Sequence, residues 1–121
     1  MVQTNFNFSD KIDTNGIVVD IPSNIQAKKV LLEILGTGLQ FPDYYGVNWD
    51  ALEECIRDLS WLKEDNVIIR HTDLPLTNDD AHKIYLAILK DAVGKWKKEP
   101  LHNLIIVFPP ELQMKIESLI D

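Results

Sequence analysis

Residues 41–61 read Phe41-Pro42-Asp43-Tyr44-Tyr45-Gly46-Val47-Asn48-Trp49-Asp50-Ala51-Leu52-Glu53-Glu54-Cys55-Ile56-Arg57-Asp58-Leu59-Ser60-Trp61. An aromatic turn here runs straight into a segment with helical spacing. Trp49, Leu52, Ile56 and Leu59 recur at i, i+3, i+7 and i+10, one apolar stripe of a 3.6-residue period. Asn48 is placed to cap the helix, because its side-chain oxygen accepts from a free backbone N–H of the first turn. Asp50, Glu54 and Asp58 project opposite the stripe, with Glu54 nearest the middle of the wet face. Asp50 falls in the first turn, where the positive helix end favours an anion. Glu54 and Asp58 gain nothing there, and like charges at i, i+4 cost roughly 0.2–0.5 kcal/mol per pair. The acidic face is therefore slightly unfavourable for stability. Tyr44, Tyr45 and Gly46 lie beside it; adjacent residues in a turn point different ways, so one tyrosine packs under the loop more easily than both. A glycine there can take a positive φ and lets a partner approach its backbone. Exposed tyrosine among charged groups is the usual make-up of a protein-binding surface.

The rest of the chain supplies a scaffold. Ile17–Ile21 is a β-branched run closed by Pro22 and reads as a strand. Ser23 is the expected cap of a helix reaching Leu35, ended by Gly36 and Gly38, with Lys28 and Lys29 solvated. Val67–Arg70 is a short apolar run that suits a strand buried on both faces. Thr77 or Asn78 is the expected cap of a third helix with Asp79 and Asp80 in its first turn, carried to about Trp96 and stopped by Pro100. Leu104–Phe108 is the last strand, and Leu112, Ile116 and Leu119 predict a short terminal helix. Strands separated by helices imply parallel pairing through crossovers. The expected fold is α/β, a small three-stranded parallel sheet with packed helices. At 121 residues the chain is expected to form one domain, 1–121, with 1–15 an irregular or short-stranded polar leader and 109–121 a helical C-terminal extension.

Composition narrows the function. A net charge of -7 disfavours nucleic acid as a ligand and favours a basic partner. One cysteine, Cys55, forms no internal disulfide; with no signal-like apolar stretch after Met1, the expected location is the cytoplasm. No run is long enough for a membrane span. His71 with Asp73, or Asp79 and Asp80 with His82, lack a recognised metal spacing, so no metal or other cofactor is expected. Cys55 with His71, His82 or His102 could make a nucleophile and base, but a thiol beside the apolar stripe is commonly inert. Asp50 and Glu54 one turn apart could be an acid–base pair, yet a general acid needs burial and these project into water. Gly36-Thr37-Gly38 has neither the length nor the lysine of a phosphate loop. Trp49, Trp61 and Trp96 read as structural, with Trp61 able to border the binding face.

The ungapped run from Phe41 to Cys55 resembles the signature of barstar-like proteins, small intracellular inhibitors of ribonucleases, and the wider order of elements extends the resemblance over roughly residues 16–108. It implies the same fold and no enzymatic activity. It also implies a basic ribonuclease or nuclease toxin as partner, plugged by the acidic helix and the preceding Tyr-Tyr-Gly loop. Asp50 and Glu54 would reach the catalytic pocket, Tyr44 and Gly46 would line its edge, and Asn48 would shape the loop. Tyr45, Glu53, Arg57 and Asp58 complete the expected contact surface. Three positions depart from the family's habit: Glu54 where aspartate is frequent, Glu53 where tryptophan is frequent, and Arg57, a cation that needs Glu53 or Asp58 to neutralise it. Relatives that add an acidic contact late in the third helix have Lys95, Lys97 and Lys98 as counterparts here. An adaptor that binds some other basic protein through the same surface is the alternative.

Overall fold

Residues 6–11, 15–43, 45–98 and 101–120 are described by a computed structural model of the chain. Its elements in order are β1 (Asn7–Phe8), β2 (Ile17–Ile21), α1 (Lys28–Gly38), α2 (Trp49–Asp58), β3 (Asn66–His71), α3 (Ala81–Lys98), β4 (Asn103–Phe108), a 3-10 turn (Pro110–Leu112) and α4 (Gln113–Leu119). The fold is α/β with a parallel sheet in the order β1-β4-β3-β2. The apolar runs at 67–69 and 104–108 form the two inner strands. Val67, Ile68 and Ile69 are completely buried, as a strand without polar alternation predicts.

The sheet has four strands where three were expected. The additional one is β1, only two residues long, in the stretch read as a polar leader. A short strand is one of the two expectations for that leader; its place in the sheet comes from Phe6 and Phe8 packing on Phe108, with ring centroids 5.6 and 6.3 Å apart. Strand register puts Val19, Ile21, Val67, Ile69, Leu104, Ile106 and Phe108 on one face, where residues from all four α-helices join them in one core. The opposite face carries Asp20 and Arg70, register partners whose side chains meet at 2.6 and 3.1 Å. That hydrogen-bonded carboxylate holds the Arg70 guanidinium above its ordinary value.

Helix starts and stops differ from the sequence expectation for identifiable reasons. α1 begins at Lys28 rather than after Ser23, and no side chain caps it. Residues 24–26 are instead tied to the loop that follows β3: Asn24 N–H donates to Asp73, Leu76 N–H to Ile25 O, and Asn78 N–H to Gln26 Oε1. The same ties delay α3, which starts at Ala81 with Asp79 accepting from its N–H, so neither aspartate lies in the first turn. The expected stop at Pro100 lies outside the described residues. α1 runs past Leu35 to Gly38, its last residue, so Gly36 lies inside the helix rather than ending it. A Cβ at Gly38 would sit 2.7 Å from Val19, and one at Gly36 would sit 2.8 Å from the Tyr45 ring. These glycines serve close packing, and left-handed Gln40 (φ 57°) turns the chain out of the helix as Phe41 N–H reaches back to Gly36 O.

One buried polar group links the core to pH. The His71 ring is enclosed and stacks on Phe108 at 4.0 Å. Its Nδ1–H donates to Val107 O at 2.9 Å, which leaves Nε2 to accept from the Tyr85 hydroxyl at 2.6 Å. Burial lowers the imidazole to about 4 from 6.5, and burial also raises the Tyr85 phenol. The unfolded chain therefore binds a proton at this residue below pH 6.5 that the native state refuses until about pH 4. Stability contributed by the neutral ring is complete above pH 6.5 and falls by about 1.4 kcal/mol per pH unit as the pH drops toward 4. Urea midpoints at pH 7.5, 6.5 and 5.5 check this: the decline is expected in the wild type and flattened in His71→Gln. Equal slopes in both would contradict it.

Candidate functional site

α2 is assembled as its spacing predicts. Asn48 Oδ1 accepts from Ala51 N–H at 2.8 Å, Asp50 occupies the first turn, and Leu52, Cys55 and Ile56 face the core. Trp49 is half-buried against Tyr85, with the Lys28 ammonium 5.9 Å from its ring. Asp50, Glu54, Arg57 and Asp58 are exposed and Glu53 is half-exposed. Together with Lys95 they line an open groove of about 560 Å³. Arg57 lies 3.7 Å from Glu53, so the cation is partnered one turn back along its own helix. Among the described residues no lysine or arginine forms an ion pair with Asp50, Glu54 or Asp58. Exposed Glu53–Arg57 pairs of this kind add little to stability. Here the pair partners one of the two cations, Arg57 and Lys95, that line the groove with the carboxylates.

The turn before α2 rests on Tyr45. Its hydroxyl donates to Leu32 O at 3.1 Å, and its ring meets Phe41 edge-on at 4.7 Å. Phe41 in turn meets Trp61, whose indole N–H donates to Leu39 O at 2.9 Å. Tyr45 is thus the tyrosine that packs under the loop; Tyr44 lies outside the described residues. Burial pushes the Tyr45 phenol up to about 12, with a smaller contribution from Cys55. Gly46 is exposed, and it is Val47 that takes the left-handed conformation, at φ 52°. Left-handed backbone is costly for a β-branched residue and tends to be stored at functional sites. Gly46 serves another purpose, since a Cβ there would lie 2.9 Å from the Asn48 amide. The turn's shape therefore depends on Asn48, as its capping role predicts, and on Val47, whose left-handed backbone residue preferences do not reveal.

Replacing Gly36 probes this support from beneath. Alanine gains about 1 kcal/mol of helix preference, but its Cβ falls 2.8 Å from the Tyr45 ring, which must shift. Overall stability is expected to change by less than about 1 kcal/mol, since the two effects oppose. The displaced phenol is expected to titrate below about 12, toward the ordinary value of 10. Ultraviolet difference titration of Gly36→Ala reads that shift, and an unmoved phenol would refute the contact.

The rival chemistries find little support in the same geometry. Cys55 is buried, and desolvation, followed by the charges of Glu54 and Asp58, pushes its thiol up, away from the thiolate a nucleophile needs. His82 Nδ1 lies 2.7 Å from Asp79 O, and both His102 ring nitrogens lie 2.8 Å from backbone carbonyls. Among the described residues, no three of histidine, cysteine, aspartate or glutamate converge to hold a metal ion. Nor is any described helix long and apolar enough to cross a membrane.

Over residues 17–108 the sequence matches the family described as Barstar (barnase inhibitor). The match spans three-quarters of the chain and contains the whole of the site above, so the chain belongs to the barstar family. At family level that means an inhibitor, rather than an enzyme, with a ribonuclease as partner. A search of the curated proteins finds none that matches. Residues 6–11 and 109–120, which supply β1 and α4, lie outside the family match.

Proposed function

We propose that this chain inhibits a basic ribonuclease or nuclease toxin in the cytoplasm by laying the acidic face of α2, and the loop before it, into the enzyme's phosphate-binding cleft. The observation that carries this reading is the display of Asp50 and Glu54, exposed, free of ion pairs among the described residues, and mounted on a capped helix whose other face is core. A ribonuclease must bind phosphates and so lines its cleft with cations. Carboxylates on a rigid support occupy those positions, exclude RNA, and speed encounter by attraction between opposite potentials. Tyr44, Tyr45 and Gly46 bring the loop to the cleft edge, Asn48 holds its shape, and Glu53, Arg57 and Asp58 contact the rim.

Barnase and a panel of other basic ribonucleases, titrated with the purified chain, test the reading. RNA cleavage by the recognised enzyme is expected to fall linearly and vanish at one equivalent. Failure to inhibit any of them at micromolar concentration would count against it. A second reading, an adaptor for another basic protein, draws on Arg57 and Lys95 lining the same groove as the carboxylates. Such a mixed surface suits a partner that also bears negative charge. Binding to a ribonuclease without loss of its activity would favour the adaptor.

A further inference from the structure

We propose that Lys95 and Trp96 of α3, with His102 just before β4, are positioning residues for the acidic face, capping the C-terminal end of α2 and so fixing the bearing of Asp50 and Glu54. The final carbonyls of a helix have no partner within it. In α2, Cys55 O accepts from Leu59 N–H, and the next ones are served from outside. Ile56 O accepts from the Trp96 indole at 3.0 Å, and Arg57 O accepts from the Lys95 ammonium. Leu59, held left-handed at φ 49°, presents its carbonyl to His102 Nε2 at 2.8 Å. The other ring nitrogen of His102 lies 2.8 Å from Glu64 O, so one buried ring spans the turn that leaves the helix. A neutral imidazole donates to one of these carbonyls and an imidazolium to both. The donors also pack on one another: the Lys95 ammonium lies 4.8 Å from the Trp96 ring, and Trp96 meets His102 edge-on at 5.3 Å.

α2 needs such a fixture. It has ten residues, shorter than helices that persist alone in water. Of the two carboxylates that matter, Asp50 lies at its far end and Glu54 midway along it. Asp50 stands about 12 Å along the axis from Asp58, so a tilt of about 10° about the C-terminal end would carry it roughly 2 Å. Charge-to-charge docking tolerates well under half that displacement. A cation at the negative end of the helix adds electrostatic support. Held at one end by Asn48 and at the other by this cluster, α2 meets its partner without first being ordered, which lowers the cost of association.

The consequence for binding rests on the inhibitory reading above; the clamp itself does not, and the test separates them. In the full chain, Trp96→Phe keeps an aromatic ring but removes the indole N–H with part of the indole's bulk, and Lys95→Met keeps most of the stem and removes the charge. The double variant leaves His102 in place, and far-ultraviolet circular dichroism checks that it is folded. Its amides at 53–59 are expected to exchange at least about tenfold faster, with those of β3 within about threefold of wild type. Stopped-flow binding to the ribonuclease that the wild type inhibits is expected to show dissociation about tenfold faster and association no slower. Restoring a cation with Lys95→Arg on the Trp96→Phe background should recover part of both effects. Uniform acceleration across α2 and β3, unchanged exchange in α2, or unchanged dissociation would overturn the proposal. If the wild type binds no ribonuclease, the inhibitory reading fails, and the exchange pattern alone supports or overturns the clamp.

Discussion

Glu54→Lys is expected to weaken ribonuclease inhibition by roughly a thousandfold or more, about 4 kcal/mol, while leaving the fold slightly more stable. Glu54 is exposed at the centre of the acidic face, with Asp50 one turn before it and Asp58 one turn after. A lysine there places an ammonium where the proposed enzyme cleft is itself cationic, so the variant forfeits an attraction and adds a repulsion. Within the inhibitor the change runs the other way. Two like-charge neighbours at i−4 and i+4 become opposite-charge neighbours, a gain of a few tenths to about 1 kcal/mol. Inhibition constants and urea midpoints measured on one preparation therefore move in opposite directions. Asp50→Lys is expected to lose comparable affinity but also some stability, because Asp50 lies in the first turn, where a cation meets the positive helix end. Retained inhibition by both variants would remove the acidic face from the interface.

Phe108→Ala carries the largest expected cost to folding, about 3–5 kcal/mol. Phe108 is completely buried at the end of β4, between β3 and the N-terminal segment. It stacks on His71 of β3 and receives Phe6 and Phe8 from the N-terminal strand. Truncation leaves a cavity lined by those rings and removes the packing that holds β1 against β4. Domains of this size are stable by about 5–15 kcal/mol, so the loss is a large share of the total. It should appear as a fall in urea midpoint together with rapid amide exchange at residues 7–8. The cavity reaches α2 only through intermediaries, His71 bonded to Tyr85 and Tyr85 packed on Trp49. Affinity measured where the variant is still folded is expected to change by less than about threefold. A stability loss under about 1 kcal/mol would show that β1 and the ring cluster are not part of the core.

Much of the scaffold is legible in the chain itself, for local reasons. Ile17–Ile21 is β-branched at four of its five positions with a proline after it, and β2 occupies those five residues. The helical stripe and the capping asparagine locate α2 to within a residue at its start. What escapes the sequence depends on contacts distant in the chain. Ser23 looks like a helix cap, yet residues 24–26 bond to 73–78 instead, and that exchange moves the starts of both α1 and α3. Gly36 looks like a terminator, and only the approach of Tyr45 explains it inside a helix. β1 is two residues long, too short for alternation to register.

The site divides in the same way. Which carboxylates face water follows from a 100° step per residue, and the exposed Asp50, Glu54 and Asp58 agree with it. Glu53–Arg57 pairing follows from the same spacing. The left-handed Val47 does not, nor does the cluster of Lys95, Trp96 and His102 on the α2 carbonyls. Those three residues read in sequence as a basic helix end, a core tryptophan and an unassigned histidine. Only tertiary packing brings them to the end of a helix some 40 residues earlier in the chain.

Competition between this chain and a nucleotide for the inhibited ribonuclease tests the central claim most directly. If Asp50 and Glu54 occupy the phosphate positions of the cleft, a mononucleotide bound there must leave before the inhibitor docks. The apparent dissociation constant is then expected to rise in proportion to nucleotide concentration, with no ternary complex. An affinity indifferent to saturating nucleotide would place the chain elsewhere on the enzyme and contradict the account.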